Sequence, residues 1–373
     1  MKNLINILIV DDSLIFRKIV QKCLNGEEDI QVIGSVRNGV KAIEFIKNQR
    51  PDLVTLDIEM PEMNGIDTLR AVQVLNAANE NLPPIGVIML SAFTKKGADI
   101  TIKALENGAF DFITKPEGND QHKNLSTLRR QLLAKIRYFT SRRIASRNRL
   151  AIPPLKPQEE IEAKMEKPKP KAPVSIITHT RFKAILIGVS TGGPRALMTL
   201  LPDLCQRIDI PVMIVQHMPP KFTESLAESL NAKTRFQVIE AKNNQTIEQR
   251  HVYIAPGGKH MLIRKKHSQI SIQTNDNPPV HGCRPSVDIL FQSAADVLGR
   301  DVIAVILTGM GTDGTEGLSS LKKHGVHVIA QDEASSVVWG MPGSAVRAGL
   351  VDDVQPLEKI PECIANVLTK VST

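Results

Sequence analysis

Along residues 1 to 138, short apolar runs alternate with stretches whose apolar positions recur at helical spacing. The runs are Ile7 to Val10, Gln31 to Val36, Leu53 to Leu56, Val87 to Leu90 and Asp111 to Thr114, with segments such as Val40 to Asn48 between them. Runs of this length read as strands covered on both faces, and their alternation with helices predicts a doubly wound parallel sheet of (βα)5 type. The pattern stops over residues 139 to 180, where Pro153, Pro154, Pro157, Pro168, Pro170 and Pro173 stand among lysines with little periodicity, which predicts an extended, solvated linker. It returns from residue 181 to 373. There Ala184 to Ile187, Val212 to Val215 and Val302 to Leu307 are candidate strands of a second α/β domain with a mainly parallel sheet.

Composition agrees with this division. A length of 373 residues suits two domains, and aromatics make up only 3% against an apolar content dominated by Ile, Val, Leu and Ala. The net charge of +8 invites a nucleic-acid reading, yet residues 140 to 183 hold 11 Lys/Arg against 4 Asp/Glu, so the tether carries +7 of it. The domains themselves are nearly neutral. Nor does the second half show a helix-turn-helix pattern, so no nucleic-acid partner is expected. Cys23, Cys205, Cys283 and Cys363 are widely spaced and form neither a zinc ribbon nor a disulfide framework, which points to a reducing cytoplasm. The run Leu4 to Val10 is too short for a signal peptide and is stopped by Asp11 and Asp12, and no stretch reaches membrane-spanning length.

In doubly wound sheets ligands gather at the carboxyl ends of the strands. The residues there are Asp11 with Asp12, Asp57, Ser91, and Lys115 with Pro116. Singly, each has a plain structural explanation as a helix cap or a surface charge. Three carboxylates on one edge repel one another, however, and a hard divalent cation is the usual remedy. With Ser91 and Lys115 to hold phosphoryl oxygens, Asp57 can attack phosphorus. The segments "IVDDS", "LDIEMPEMNG", "MLSA" and "FITKP" resemble the receiver domain of bacterial response regulators. That resemblance implies Asp57 as phospho-acceptor and Mg2+ held by Asp11, Asp12, Asp57 and the main-chain carbonyl of Glu59. It also makes Phe112 a switch aromatic acting with Ser91 and Lys115; the plain alternative for Phe112 is a core residue.

In the second domain three apolar runs end in a serine, a histidine and an aspartate: Ser190 in "GVSTGGP", His217, and Asp313 in "TGMGTDG". Strands adjacent in a parallel sheet would bring them together as nucleophile, general base and base-orienting carboxylate. Gly188, Gly192 and Gly193 permit a tight turn that exposes Ser190, and Pro194 suits the first turn of a helix whose free N–H groups can stabilise an oxyanion. Thr191, Gly192, Gly193 and Met310 are the candidates for the turn and the oxyanion site, Met310 through its main chain; the alternative for Met310 is packing within its loop. The chain order Ser, His, Asp is not that of the common α/β-hydrolases. "GMGTDG" also matches a dinucleotide fingerprint, with Asp332 at a plausible distance, but Asp313 would then lie beside a pyrophosphate. His324 and His327 have a metal-like spacing that Gly325 interrupts.

The segments "IGVSTGGP", "VQHMPP", "YIAPGG", "CRPSVD" and "LTGMGTDG" resemble the catalytic domain of the chemotaxis protein-glutamate methylesterases, the CheB family. Receiver, tether and esterase stand in that family's order. The resemblance implies a cytoplasmic, phosphorylation-activated serine esterase that releases methanol from glutamate methyl esters of chemoreceptors, with glutamine deamidation as a related activity. It further implies a chemotaxis histidine kinase as phosphodonor and no cofactor for the ester hydrolysis itself.

Overall fold

The computed structural model describes residues 4–79, 81–116, 120–150, 182–267 and 269–370, which form two compact units. Up to Leu150, β1 (Ile5–Val10), α1 (Leu14–Leu24), β2 (Ile30–Val36), α2 (Gly39–Asn48), β3 (Leu53–Asp57), α3 (Gly65–Ala77), β4 (Gly86–Ser91), α4 (Lys95–Glu106), β5 (Asp111–Thr114) and α5 (Gln121–Leu150) follow in strict alternation, all but α4 lying within the first unit. The strands are all parallel, in the order β2-β1-β3-β4-β5. Polar residues ahead of the helices start them. Ser13, Asn38 and Asn64 each accept a main-chain N–H from the first turn of α1, α2 and α3. Ile7, Ile9, Leu53, Ile88 and Leu90 on the sheet pack with Leu128, Leu132 and Ile136 of α5, all buried. Each such side chain contributes roughly 1.5–3 kcal/mol by leaving water. One boundary moves: α5 runs past Tyr138 to Leu150, so helix continues into the segment read from sequence as linker. The Pro-rich remainder of that segment lies outside the described residues.

The second unit opens with β6 (Ala184–Val189), α6 (Gly193–Arg207), β7 (Val212–Gln216), α7 (Phe222–Asn231), β8 (Gln237–Glu240), β9 (Gln245–Thr246) and β10 (His251–Ile254). It continues with β11 (His260–Lys266), β12 (Gln269–Asn275), α8 (Val287–Leu298), β13 (Val302–Ile306), α9 (Thr315–Lys323), β14 (His327–Gln331), α10 (Met341–Arg347), β15 (Asp353–Gln355) and α11 (Ile360–Lys370). Seven parallel strands form one sheet in the order β15-β14-β13-β6-β7-β10-β8, while β11, β12 and β9 make a small antiparallel sheet. The chain enters at β6, runs outward through β7 on one side, and comes back to β13 on the other. The sheet therefore reverses its winding beside β6, and the strand ends there are where sheets of this kind place their ligands. Leu186, Met213, Val215, Ala304 and Ile306 on the sheet pack with Leu290, Phe291 and Ala294 of α8.

Candidate functional site

In the first unit, the ends of β1 and β3 bring together the three carboxylates singled out from sequence. Ligand oxygens of Asp11, Asp12 and Asp57 lie within 4.8 Å of one another. Lys115 is the counter-charge, its Nζ 2.8 Å from Asp11 Oδ2 and 2.9 Å from Asp57 Oδ1. One ammonium does not balance this cluster. Burial pushes the Asp57 carboxyl up to about 6, with Asp11 adding to the rise and Lys115 opposing it. Asp11 Oδ2 is buried, pairs in charge with Lys115 and accepts no aligned hydrogen bond among the described residues. An all-oxygen acidic set with an oxygen in that condition fits a hard divalent cation. Ser91 is fully buried at the end of β4, and its carbonyl accepts the Lys115 N–H at 2.7 Å. Phe112 is buried on β5, and Glu59 lies two residues past the end of β3, in the loop before α3.

In the second unit the strand order answers what the sequence left open: β13, β6 and β7 are neighbours, so the loops bearing Asp313, Ser190 and His217 leave adjacent strand ends. The His217 N–H donates to Val189 O at 3.1 Å and the Ser190 N–H to Thr308 O at 3.0 Å, which ties all three ends together. His217 Nε2 lies 2.7 Å from Asp313 Oδ2. Its other nitrogen, Nδ1, faces Cys283 Sγ at 3.6 Å, and Ser190 Oγ makes no hydrogen bond among the described residues. The imidazole is thus anchored through Nε2, and its Nδ1 is left facing Cys283 Sγ. Burial alone would lower the ring's pKa; the Asp313 carboxylate, joined by Cys283, outweighs that and raises it to about 9.

Asp313 is held by four donors. Oδ1 accepts Ser286 Oγ at 2.8 Å and Asp288 N at 3.1 Å, and Oδ2 accepts Val287 N at 2.8 Å beside His217. These donors sit at the positive N-terminal end of α8. Burial would raise the Asp313 carboxyl, but the His217 ring and these donors overcome it and keep it well below the ordinary carboxylate range. Behind it, burial pushes Asp288 up to about 7, the Gly317 N–H opposing and the Asp313 charge adding. The "GMGTDG" loop therefore turns its aspartate inward onto a histidine, and the dinucleotide reading fails on geometry.

The turn after β6 behaves as its glycines predict. Gly192 adopts φ +77°, and a methyl group there would meet Val337 at 2.4 Å. The Gly193 N–H bonds the Ser190 carbonyl at 2.8 Å, so Gly193 closes the turn and has no donor left for an oxyanion. The N–H groups of Thr191, Gly192 and Met310 make no hydrogen bond among the described residues. Gly309 runs close over the nucleophile position, since a Cβ there would lie 2.9 Å from Ser190 Cβ. Sequence reasoning missed the supports. Gln216 Nε2 donates to Ser190 O at 2.9 Å, Thr308 Oγ1 to Thr191 O at 2.9 Å, and Cys283 lies beside the ring. Cys283 and Ser286 both lie within "CRPSVD", but nothing in that segment says which strand end it reaches. His324 and His327 fall at the end of α9 and the start of β14, as Gly325 implied.

Two family models match the chain: the response regulator receiver domain over residues 7–126 and the CheB methylesterase over residues 185–364. A protein-glutamate methylesterase/protein-glutamine glutaminase of Pyrococcus horikoshii is 40% identical over 366 residues, 98% of this chain and 94% of that protein. A protein of the same name from Desulfotalea psychrophila is 43% identical over 373 residues, 99% of each chain. The crystal structure of the Thermotoga maritima CheB methylesterase catalytic domain is 39% identical, covers 50% of this chain and 98% of its own, and has a TM-score of 0.48. A receiver sheet with its acidic edge, followed by a parallel sheet ending in Ser, His and Asp, defines a response regulator whose output domain is a hydrolase. Near-full-length similarity narrows that class, and the chain belongs to the CheB methylesterase family.

Proposed function

We propose that the chain hydrolyses glutamate methyl esters on chemoreceptors, and deamidates receptor glutamines, under control of phosphorylation at Asp57. The observation that carries this reading is the 2.7 Å pairing of His217 Nε2 with a carboxylate at the strand end next to Ser190, which leaves Nδ1 to serve as base. Ser190 Oγ attacks the ester carbonyl carbon while its proton passes to His217 Nδ1. The N–H groups of Met310 and the Thr191–Gly192 turn stabilise the resulting oxyanion. Collapse breaks the bond to the methoxy oxygen, which takes the proton from His217 and leaves as methanol. Water then adds to the acyl-serine with His217 again as base, giving glutamate and free Ser190. With glutamine the leaving group is ammonia.

In the receiver, Asp11, Asp12, Asp57 and the main-chain carbonyl of Glu59 would hold Mg2+, whose charge offsets that of an incoming phosphoryl group. Lys115 and Ser91 hold the phosphoryl oxygens, and Phe112 follows Ser91 as the switch aromatic. A chemotaxis histidine kinase is the phosphodonor, and adaptation of the receptors is the outcome. Placement in the cytoplasm suits these partners; no helix among the described residues is long and apolar enough to cross a membrane. The test is methanol release from methylated receptor membranes. Ser190→Ala should lose nearly all of it and should lose labelling by a fluorophosphonate. Asp57→Asn should keep the unstimulated rate and lose the response to acetyl phosphate with Mg2+. Undiminished turnover in Ser190→Ala would remove the serine mechanism.

A further inference from the structure

Beside the hydrolase centre, on the far side of α8's first turn, three side chains converge that the mechanism does not use. His281 Nε2 lies 3.3 Å from Asp288 Oδ2 and 3.5 Å from Glu316 Oε1. The three ligand atoms are all within 4.8 Å of one another. Asp288 is wholly buried, its Oδ1 accepts the Gly317 N–H at 2.7 Å, and its Oδ2 has no hydrogen bond among the described residues. A buried carboxylate oxygen left without a donor is costly. The neighbouring imidazole is near enough to bond it but not aligned to do so. Donor atoms that share one cation have separations of this size. With metal–nitrogen and metal–oxygen bonds of about 2.0–2.2 Å, the edges of a tetrahedron measure about 3.3–3.6 Å, which brackets both observed separations.

We propose that His281, Asp288 and Glu316 bind a divalent transition cation of the zinc class, with a fourth position open to water. One imidazole and two carboxylates suit zinc better than magnesium, which prefers oxygen alone. The ligands come from the loop before α8, the first turn of α8 and the first turn of α9. His281 holds a left-handed backbone at φ +49°, and the same loop, closed by Val280 N–H to Cys283 O at 3.0 Å, carries Cys283 to His217. A bound cation would pin that loop to both helices. His217, Cys283 and Asp313 form another possible metal group, but there Nε2 and Asp313 are already bonded to each other.

Cobalt is the probe, titrated into the full chain with excess Mg2+ present to saturate the acidic receiver cluster. One equivalent should give visible bands without a thiolate charge-transfer band, and zinc should displace it. His281→Ala and Glu316→Gln, whose side chains are 39% and 68% exposed and so leave the core intact, should each weaken binding at least about tenfold. Cys283→Ser should bind as the parent does. The proposal is overturned by absence of saturable binding, by binding that survives both ligand variants, or by a thiolate band lost in Cys283→Ser.

Discussion

Replacing Asp313 by asparagine tests the centre at its most determined point. All four groups facing this carboxylate are donors, two on each oxygen. An amide offers one acceptor atom and one donor atom, so either orientation sets an NH2 against a main-chain N–H. With nitrogen at the Oδ1 position, Ser286 can rotate its hydroxyl but the Asp288 N–H is stranded, at about 1–3 kcal/mol. With nitrogen at Oδ2, the Val287 N–H is stranded and His217 must accept at Nε2. That choice moves the ring proton to Nδ1, the nitrogen assigned to the serine. Losing the negative charge adds to the damage, because the transition state contains an imidazolium. The rise of His217 from 6.5 to about 9 corresponds, at about 1.4 kcal/mol per pH unit, to roughly 3 kcal/mol of support for that cation, part of it from Cys283. Methanol release should therefore fall about 100-fold to 10,000-fold, the upper figure applying where the tautomer is wrong. The parent's rate should climb tenfold per pH unit below about 9, since only neutral His217 can take the proton; in Asp313→Asn the limb should move toward lower pH. A rate within about threefold of the parent, or a limb that does not move, would refute the pairing as the source of basicity.

Two further substitutions probe the supports. The Asp57 carboxyl rises from 3.8 to about 6 in the fold, so the folded state holds its proton longer than the unfolded one, and stability is lost as pH rises through that interval. Asp57→Asn should accordingly raise the melting temperature at pH 8, by an amount corresponding to about 1–3 kcal/mol, and the gain should vanish near pH 3.5; equal gains at both pH values would contradict the assignment. Gly193→Ala would place a methyl group 2.0 Å from Gln216 Oε1 and 2.7 Å from Val189 Cγ2. Displacing Gln216 removes one of the two donors on the Ser190 carbonyl and leaves only the Gly193 N–H to hold the turn, so turnover should drop at least about tenfold while the chain stays folded by circular dichroism; full activity would show that the Gln216 brace is dispensable.

Much of this was legible in the residues. Apolar runs bounded by polar ends marked the strands, because a strand buried on both faces cannot carry charge, and Ser190, His217 and Asp313 stand in the loops just beyond three adjacent strands. What the runs do not encode is lateral order. Nothing in Val302 to Leu307 says that it pairs with β6, and that pairing puts Asp313 beside His217. The donors around Asp313 were equally hidden: Val287 and Asp288 serve through main-chain N–H groups, which have no signature in side-chain identity. Cys283 was read only for its spacing from other cysteines, so its place beside His217 went unseen. Helix α5 passed its expected end because Ser141, Arg142 and Arg143 carry neither proline nor glycine to stop it.

The anchoring of His217 through Nε2 has a geometrical consequence. Nδ1 is the ring nitrogen nearest the main chain, so a hydroxyl that reaches it must come from a backbone close by. That closeness is supplied by the ladder bond from His217 N to Val189 O, one residue short of Ser190. The spacing of Ser190 and His217 is therefore a property of two neighbouring strands, about 4.8 Å apart and cemented into a seven-stranded sheet. Such a distance is stiff. Under the proposed mechanism, changes in the surrounding loops would reshape what approaches Ser190 and leave the proton transfer to His217 untouched.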